Sequence, residues 1–574
     1  MIWYICIVKT FFNLESNDLK KKSNLLNVQL VAETFAAAGI SHIVISPGSR
    51  NGALTMQFAN DQRFETFSII DERSAAFVAL GMAQRLKKPV VICCTSGSAA
   101  ANYYPAITEA FYQNVPIIVL TADRPELFVD QFDGQTIRQR DLYQSHSYYN
   151  TQLSELDDTE TLTENMLKLK DAITKAIHHQ GPVHINMPFS EPFYGYTTEQ
   201  LIDFENINIP KRQFDEIDIF ALAREWNTAS KKIILIGLHS PDDIFNDLMI
   251  KYADDPSVVI LTEVTSNTHH PRFINKIDQL IFSLSEEELE ILKPEILLTI
   301  GQNIVSKKIK AFFRNHRPAQ HWHLDEHWHP DTFQLQNKKL IADKNEFLSE
   351  FIHYINPKTS AYYNDWNDIR IQKEQKHQEF LDQTNYSDLK VFEKIIPTYP
   401  ENAVIHYGNS SVIRYALLFD HPAHLDIYCN RGTSGIDGST STAVGSCMVS
   451  NRLTVVVTGD ISFLYDSNAL WNKYLPKNLR IILINNGGGN IFRFIPGPNE
   501  TDVVEEFFET KHHIKAYGLA ETFGLDYWLI EDLEGFDETM AAFYQDSGRA
   551  KILEIDTMRI PNAEILRNYF RNLG

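Results

Sequence analysis

The chain has 574 residues, 44% hydrophobic and 22% charged, a globular composition that excludes a largely disordered protein. Its 53 basic and 74 acidic residues leave a net charge of −21, which repels phosphate backbones and argues against a nucleic-acid partner. At roughly 150 residues per domain, three or four domains are predicted.

Residues 1–24 read as an N-terminal extension. Met1 to Phe12 is apolar but has no basic region before it and no small-residue cleavage site after it, so a signal peptide is the weaker reading. No apolar run approaches the ~20 residues of a membrane span. The five cysteines, Cys6, Cys93, Cys94, Cys429 and Cys447, form neither a disulfide framework nor a metal spacing, which predicts a cytoplasmic protein.

From there the chain alternates short β-branched runs with helical periodicity. Val90–Cys94, Pro116–Leu120 and Val183–Asn186 read as buried parallel strands. So do Ile233–Ile236, Ile296–Ile300, Thr454–Val457 and Ile481–Ile484. The alternation predicts an α/β fold of parallel sheets covered by helices. A shift of 364 residues lays Gly81 on Gly445, Val91 on Val455 and Ile117-Ile118 on Ile481-Ile482 without a gap. This repeat predicts related domains at the two ends, with a third between them. The limits read as 25–195, 212–360 and 385–574. A proline-rich linker follows the first domain, and a polar helix-prone stretch, Ala361 to Thr384, precedes the last.

Polar and glycine-rich loops at strand ends are the default ligand site of such sheets. Gly459-Asp460-Ile461-Ser462 ends one strand, and Asn486-Gly487-Gly488-Gly489-Asn490-Ile491-Phe492 ends the next. A carboxylate, an amide oxygen and a glycine carbonyl are hard ligands that suit Mg²⁺ and a diphosphate. An aspartate cap and a glycine turn would explain each half alone, but not their occurrence at neighbouring strand ends. Asp71-Glu72-Arg73-Ser74 reads on composition as an acidic helix start. Ser46-Pro47-Gly48-Ser49-Arg50 and Thr95-Ser96-Gly97-Ser98 read as anion-binding turns or as plain turns.

A glutamate after a strand in the first domain is followed, in the last, by Gly-Asp and then Asn-Asn-Gly, with 26 residues from Asp460 to Asn486. This order resembles the thiamine-diphosphate-dependent enzymes, which have pyrimidine-binding, central and diphosphate-binding domains. Ile45–Arg50, Glu72–Ala76, Thr121–Pro125, Gly134–Ile137, Arg431–Gly438 and Asn485–Phe492 narrow the resemblance. They are similar to the synthases that make 2-succinyl-5-enolpyruvyl-6-hydroxy-3-cyclohexene-1-carboxylate in menaquinone biosynthesis. The likeness runs from Asn27 to the C-terminus, dense in the outer domains and thin in the central one. Ile461 stands where the superfamily often has glycine, a departure these synthases tolerate. The first domain carries Arg124 and Gln135 in place of the histidine pair of the decarboxylases.

The resemblance implies thiamine diphosphate with Mg²⁺ (Mn²⁺ as an alternative), decarboxylation of 2-oxoglutarate, and 1,4-addition of the resulting succinyl-semialdehyde carbanion to isochorismate. Glu72 corresponds to the catalytic glutamate on the aminopyrimidine. Thr95, Ser96, Gly97, Ser434, Gly435, Ile436, Gly459, Asp460, Ile461 and Ser462 fall among the cofactor contacts, as do Asn486, Gly488, Asn490, Ile491 and Phe492. Ile436 corresponds to the wedge that bends the cofactor. Asp460, Asn486 and the Gly488 carbonyl correspond to the metal ligands. Both substrates are dicarboxylates, for which arginine is the fitting anchor. Motif matches assign them Ser49, Arg50, Arg124, Gln135, Ser410, Arg414 and Arg431, with Arg138 and Arg140 weaker; surface salt bridges are the plain structural reading of each arginine. The resemblance also implies a homodimer or tetramer, with Glu72 and Asp460 of one site drawn from different subunits.

Two other patterns are set aside. His316, His321, His323, His327 and His329 lie near Asp325 and Glu326, but their spacing is not that of a zinc site. Glycines 487–489 lack the dinucleotide spacing. The competing functions are another thiamine-diphosphate 2-oxo acid enzyme, of acetohydroxyacid synthase or decarboxylase type, and a non-catalytic cofactor-binding sensor.

Overall fold

A computed structural model describes residues 21–202, 207–494 and 497–574. Most of the extension read over 1–24 lies outside the described residues. Its last part, Lys22–Ser23, pairs antiparallel with Tyr196–Thr197.

Three parallel sheets form three α/β units. The first contains β1 (His42–Ile45), β2 (Glu65–Ser68), β3 (Val90–Cys94), β4 (Ile117–Asp123), β5 (Asn150–Gln152) and β6 (Val183–Pro188), in the order β2-β1-β3-β4-β6-β5. The central sheet contains β7 (Lys232–Ile236), β8 (Val258–Thr262), β9 (Ile296–Ile300), β10 (Gln320–Leu324) and β11 (Lys338–Leu340), in the order β8-β7-β9-β10-β11. The last contains β12 (Val404–Tyr407), β13 (Asp426–Cys429), β14 (Thr454–Gly459), β15 (Leu479–Asn485), β16 (Asp526–Ile530) and β17 (Lys551–Asp556), in the order β13-β12-β14-β15-β17-β16. The first and last sheets therefore share one strand order, the topology of a duplicated unit. Every neighbouring pair within these three sheets is parallel.

The strands read from β-branched runs all form. Their buried side chains pack against helices on both faces, and each Val, Ile or Leu so buried contributes ~1.5–3 kcal/mol. The stretch 361–384 forms the helix Tyr362–Gln383, which places Tyr362 and Trp366 in the central core and Leu381 in the last. The helices Glu72–Leu86 and Ser439–Met448, equivalent in the repeat, cross at Gly81 and Gly445, and one hydrophobic core runs through both outer units around them. Among the described residues no helix is long and apolar enough to cross a membrane.

Candidate active site

The first group of site residues lies at the carboxyl ends of the adjacent strands β1, β3 and β4. Arg50 is only 5% exposed. Its amide donates to Thr95 Oγ1 (3.2 Å), joining the β1 and β3 loops, and its guanidinium donates to the Phe189 carbonyl (3.0 Å) and Glu191 (3.2 Å). Gly97 lies against the backbone of Gln135, its amide donating to Gln139 Oε1 at 2.8 Å, so the β3 loop rests on the 134–139 segment. Ser96 is buried beside Thr95, while Ser49 and Gln135 are exposed. Arg124 pairs with Asp133 at 3.1 Å, and its buried Nε has no partner among the described residues. Arg138 and Arg140 are exposed and pair locally with Asp130 and Asp141.

Asp71, not Glu72, caps the helix Glu72–Leu86, accepting the Ser74 amide. Asp71 also accepts Asn468 Nδ2 (2.6 Å), and Arg73 donates to the Tyr465 carbonyl (2.7 Å), pinning the helix start to the last unit. Glu72 itself is half-buried and accepts only a long 3.4 Å contact from Asn102. Among the described residues, no hydrogen bond or ion pair joins Glu72 to Asp460, Asn486 or Gly488 of its own chain.

The second group lies at the ends of β12 to β15. Asp460 is 4% exposed and opens the helix Asp460–Tyr465. Its Oδ2 accepts the amides of Gly487 (2.7 Å) and Gly488 (2.9 Å), and its Oδ1 accepts the Ile461 amide. The β14 and β15 loops therefore meet at this carboxylate. Gly488 has φ +148°, and a Cβ there would lie 2.6 Å from the Glu509 carbonyl, so the position admits only glycine. The Gly489 amide donates to that carbonyl (2.6 Å), and Arg493 holds the Glu509 carboxylate (2.8 Å), steadying Asn490, Ile491 and Phe492 in one short turn.

Asn486 donates its Nδ2 to the buried Asp388 (2.9 Å), which leaves Oδ1 as its free polar atom. Burial pushes the Asp388 carboxyl up to about 6, against hydrogen bonds from Thr557 and Asn486. His512 stands 3.4 Å from Asp460 Oδ2, a contact that raises its hold on a proton. Asp460 Oδ1, which accepts the Ile461 amide, Asn486 Oδ1 and the Gly488 carbonyl, which accepts the Asn490 amide at 2.9 Å, are hard oxygens of the chemistry that Mg²⁺ takes.

The loops after β12 and β13, with the helix that follows β12, carry the remaining residues. Asn409, missed in the sequence, ties them together: its Nδ2 donates to the carbonyls of Asn430 (2.6 Å) and Gly435 (2.7 Å), and its Oδ1 accepts from Arg431 NH1 (3.0 Å). Ser410 follows it at φ +71°, and Ser434, in the loop after β13, has φ +63°. Ser462 Oγ donates to the Ile436 carbonyl at 2.9 Å, joining this loop to the Asp460 helix. Arg414 sits within the helix Ser411–Ala416 rather than in a loop, and burial lowers its affinity for the proton.

The central unit faces these arginines with two carboxylates that sequence reasoning also missed. Glu263 accepts the amides of Val305 and Ser306 (both 2.7 Å), and burial pushes it up to about 7. Asp278 accepts from Ser306 Oγ, and burial pushes it up as well, against the nearby charge of Arg414. Of the histidines, His321 and His323 lie on β10 and share the Thr299 hydroxyl (2.9 and 2.7 Å), a structural pairing within the sheet.

Residues 27–146 match the N-terminal thiamine-pyrophosphate-binding domain of thiamine pyrophosphate enzymes, and residues 212–406 match a middle domain of thiamine pyrophosphate proteins. The 2-succinyl-5-enolpyruvyl-6-hydroxy-3-cyclohexene-1-carboxylate synthase of Flavobacterium johnsoniae is 45% identical over 550 residues, spanning 95% of this chain and 98% of the relative. The synthase of the same name from Flavobacterium psychrophilum is 46% identical over 550 residues (95% and 98%). That from Porphyromonas gingivalis is 35% identical over 567 residues (96% and 97%). The chain belongs to the 2-succinyl-5-enolpyruvyl-6-hydroxy-3-cyclohexene-1-carboxylate synthase family of thiamine pyrophosphate enzymes.

Proposed function

We propose that the chain is a thiamine-diphosphate-dependent transferase of menaquinone biosynthesis. It decarboxylates 2-oxoglutarate and adds the resulting four-carbon unit to isochorismate, giving 2-succinyl-5-enolpyruvyl-6-hydroxy-3-cyclohexene-1-carboxylate. The observation that carries this reading is the 45% identity over 550 residues to a synthase of that name, in a chain that keeps Glu72, Asp460 and Asn486.

When bound, thiamine diphosphate supplies the electron sink that makes decarboxylation of a 2-oxo acid possible. Asp460, Asn486 and the Gly488 carbonyl hold Mg²⁺ or Mn²⁺, and through it the diphosphate. The Gly487–Gly489 backbone lets the phosphates approach closely, with Asn490, Ile491, Phe492, Gly459, Ile461 and Ser462 around them. Ser434, Gly435 and Ile436 shape the slot, with Ile436 as the apolar wedge, while Thr95, Ser96 and Gly97 cover it from the first unit. Glu72 would present its carboxyl group to the pyrimidine nitrogen of the cofactor; among the described residues its side chain has one long hydrogen bond, from Asn102. Arg50, Arg124, Arg414 and Arg431 bind the substrate carboxylates bidentately, assisted by Ser49, Gln135 and Ser410.

The reading includes a homodimer or a tetramer, in which Glu72 of one subunit serves the Asp460 site of the other. It also includes a cytoplasmic location and domains at 25–195, 212–360 and 385–574. The test is turnover of the purified protein with thiamine diphosphate and Mg²⁺. With 2-oxoglutarate alone carbon dioxide release is slow, and isochorismate accelerates it and yields the adduct. Pyruvate serving equally well would instead point to the acetohydroxyacid synthase type.

A further inference from the structure

Glu109 lies on the helix Tyr104–Gln113 of the first unit and is 2% exposed. Its carboxylate faces neutral donors from the last unit. Oε1 accepts the Gly432 amide at 2.7 Å, and Oε2 accepts the Thr433 amide at 2.6 Å and the Thr433 hydroxyl at 2.5 Å. Gln113 Nε2 also donates to Oε1 and, at 3.2 Å, to the Cys429 carbonyl. The acceptor positions of one buried carboxylate are thus filled, mostly by the loop that follows β13. A Cβ on Gly432 would lie 2.7 Å from the Glu109 carbonyl, so the loop is pressed directly onto the helix.

That loop carries Arg431, whose guanidinium, among the described residues, has one side-chain tie, to Asn409, and whose buried Nε has no partner there. The guanidinium therefore goes where the loop backbone puts it. A buried carboxylate is costly unless its hydrogen bonds are complete, and here they are spent on the two residues directly after the arginine. We propose that Glu109 is a positioning residue, acting across the domain boundary to set Arg431 for bidentate capture of a substrate carboxylate. This rests on the reading of Arg431 as a substrate anchor.

The test uses the full-length enzyme with thiamine diphosphate and Mg²⁺, as wild type, Glu109→Gln, Arg431→Lys and the double variant. The glutamine places an N–H₂ against a backbone N–H, so one loop contact is lost. The KM for the dicarboxylate substrates is expected to rise about 10- to 100-fold, with kcat changed much less. The substitution is also expected to add little once Arg431 is already lysine, because both act through the same contact. An unchanged KM, or losses that multiply independently in the double variant, overturns the proposal even if the melting temperature falls. Should Glu109→Gln fail to fold, Thr433→Val removes a single donor to Glu109 and must raise the same KM. A wild-type enzyme that leaves both substrates untouched overturns the functional reading, and this inference with it.

Discussion

Gly81 and Gly445 each lie beneath a carbonyl of the other's helix. A Cβ on Gly81 would stand 1.9 Å from the Thr442 oxygen, and one on Gly445 would stand 1.9 Å from the Val78 oxygen. Each carbonyl belongs to the residue three before the opposing glycine, so the contact is a local two-fold between the duplicated units.

Gly81→Ala or Gly445→Ala must therefore separate two backbones, not merely displace a side chain. A loss of about 1–3 kcal/mol or more is expected, read as a fall of several degrees in melting temperature. Gly518→Ala, where a Cβ meets nothing within 4 Å, should be neutral or slightly stabilising. Equal melting temperatures for Gly81→Ala and Gly518→Ala would contradict the packing argument.

Glu72→Gln keeps the shape of the side chain but cannot give up a proton. Turnover should fall by about 10²- to 10⁴-fold at saturating cofactor, while calorimetry shows thiamine diphosphate still bound. Full turnover would remove Glu72 from the mechanism.

Asp460→Ala removes the carboxylate at which the β14 and β15 loops meet. Mg²⁺-dependent cofactor binding should disappear in a titration, and chelation of the wild type with EDTA should abolish turnover that added Mg²⁺ restores. Cofactor affinity indifferent to both treatments would sink the metal assignment.

The subunit arrangement can be tested by mixing. If Glu72 and Asp460 of one site come from different chains, a Glu72→Gln/Asp460→Ala heterodimer holds one intact site. Co-refolding two inactive variants should then recover about a quarter of wild-type activity by random pairing. No recovery despite confirmed heterodimers would place both residues in one chain.

His184 is fully buried beside Thr121, and burial pushes it down to about 3 from 6.5. Below pH 6.5 the unfolded chain takes up a proton there that the folded chain does not, so this contribution to stability is complete above pH 6.5 and is lost as pH falls toward 3. The slope is up to about 1.4 kcal/mol per pH unit for this one group. His184→Gln should be less stable at pH 8 but decline less steeply between pH 6.5 and 4.5 in urea melts. Parallel slopes would show that the imidazole does not carry this share.

The sequence made legible whatever was local. Val90–Cys94 and Ile233–Ile236 are uniformly apolar and formed as read, and the polar loops at Asp460 and Asn486 adjoin their strands in the chain. Parts that depend on distant partners were hidden. Glu109 meets Gly432 across 323 positions. Its signal was an acid between the apolar Ala106, Ile107 and Ala110 of one helix face, where solvation would not place one. Asn409 has its partners Asn430 and Gly435 21 and 26 positions away. Glu263 and Asp278 lie in the central unit, where the family likeness is thinnest, and only their facing of Arg414 and Arg431 in space reveals them.

The strand that leads into Arg431 is also the outermost of its sheet. Its free rim is closed by a side chain: Asn267 of the central unit accepts the Ile427 amide and donates to the Ile427 carbonyl, both at 2.8 Å, as a neighbouring strand would. Bare rims recruit foreign chains and seed aggregation. The single carboxamide thus acts as a terminator, keeping the parallel ladder from growing into a second molecule beside Arg431.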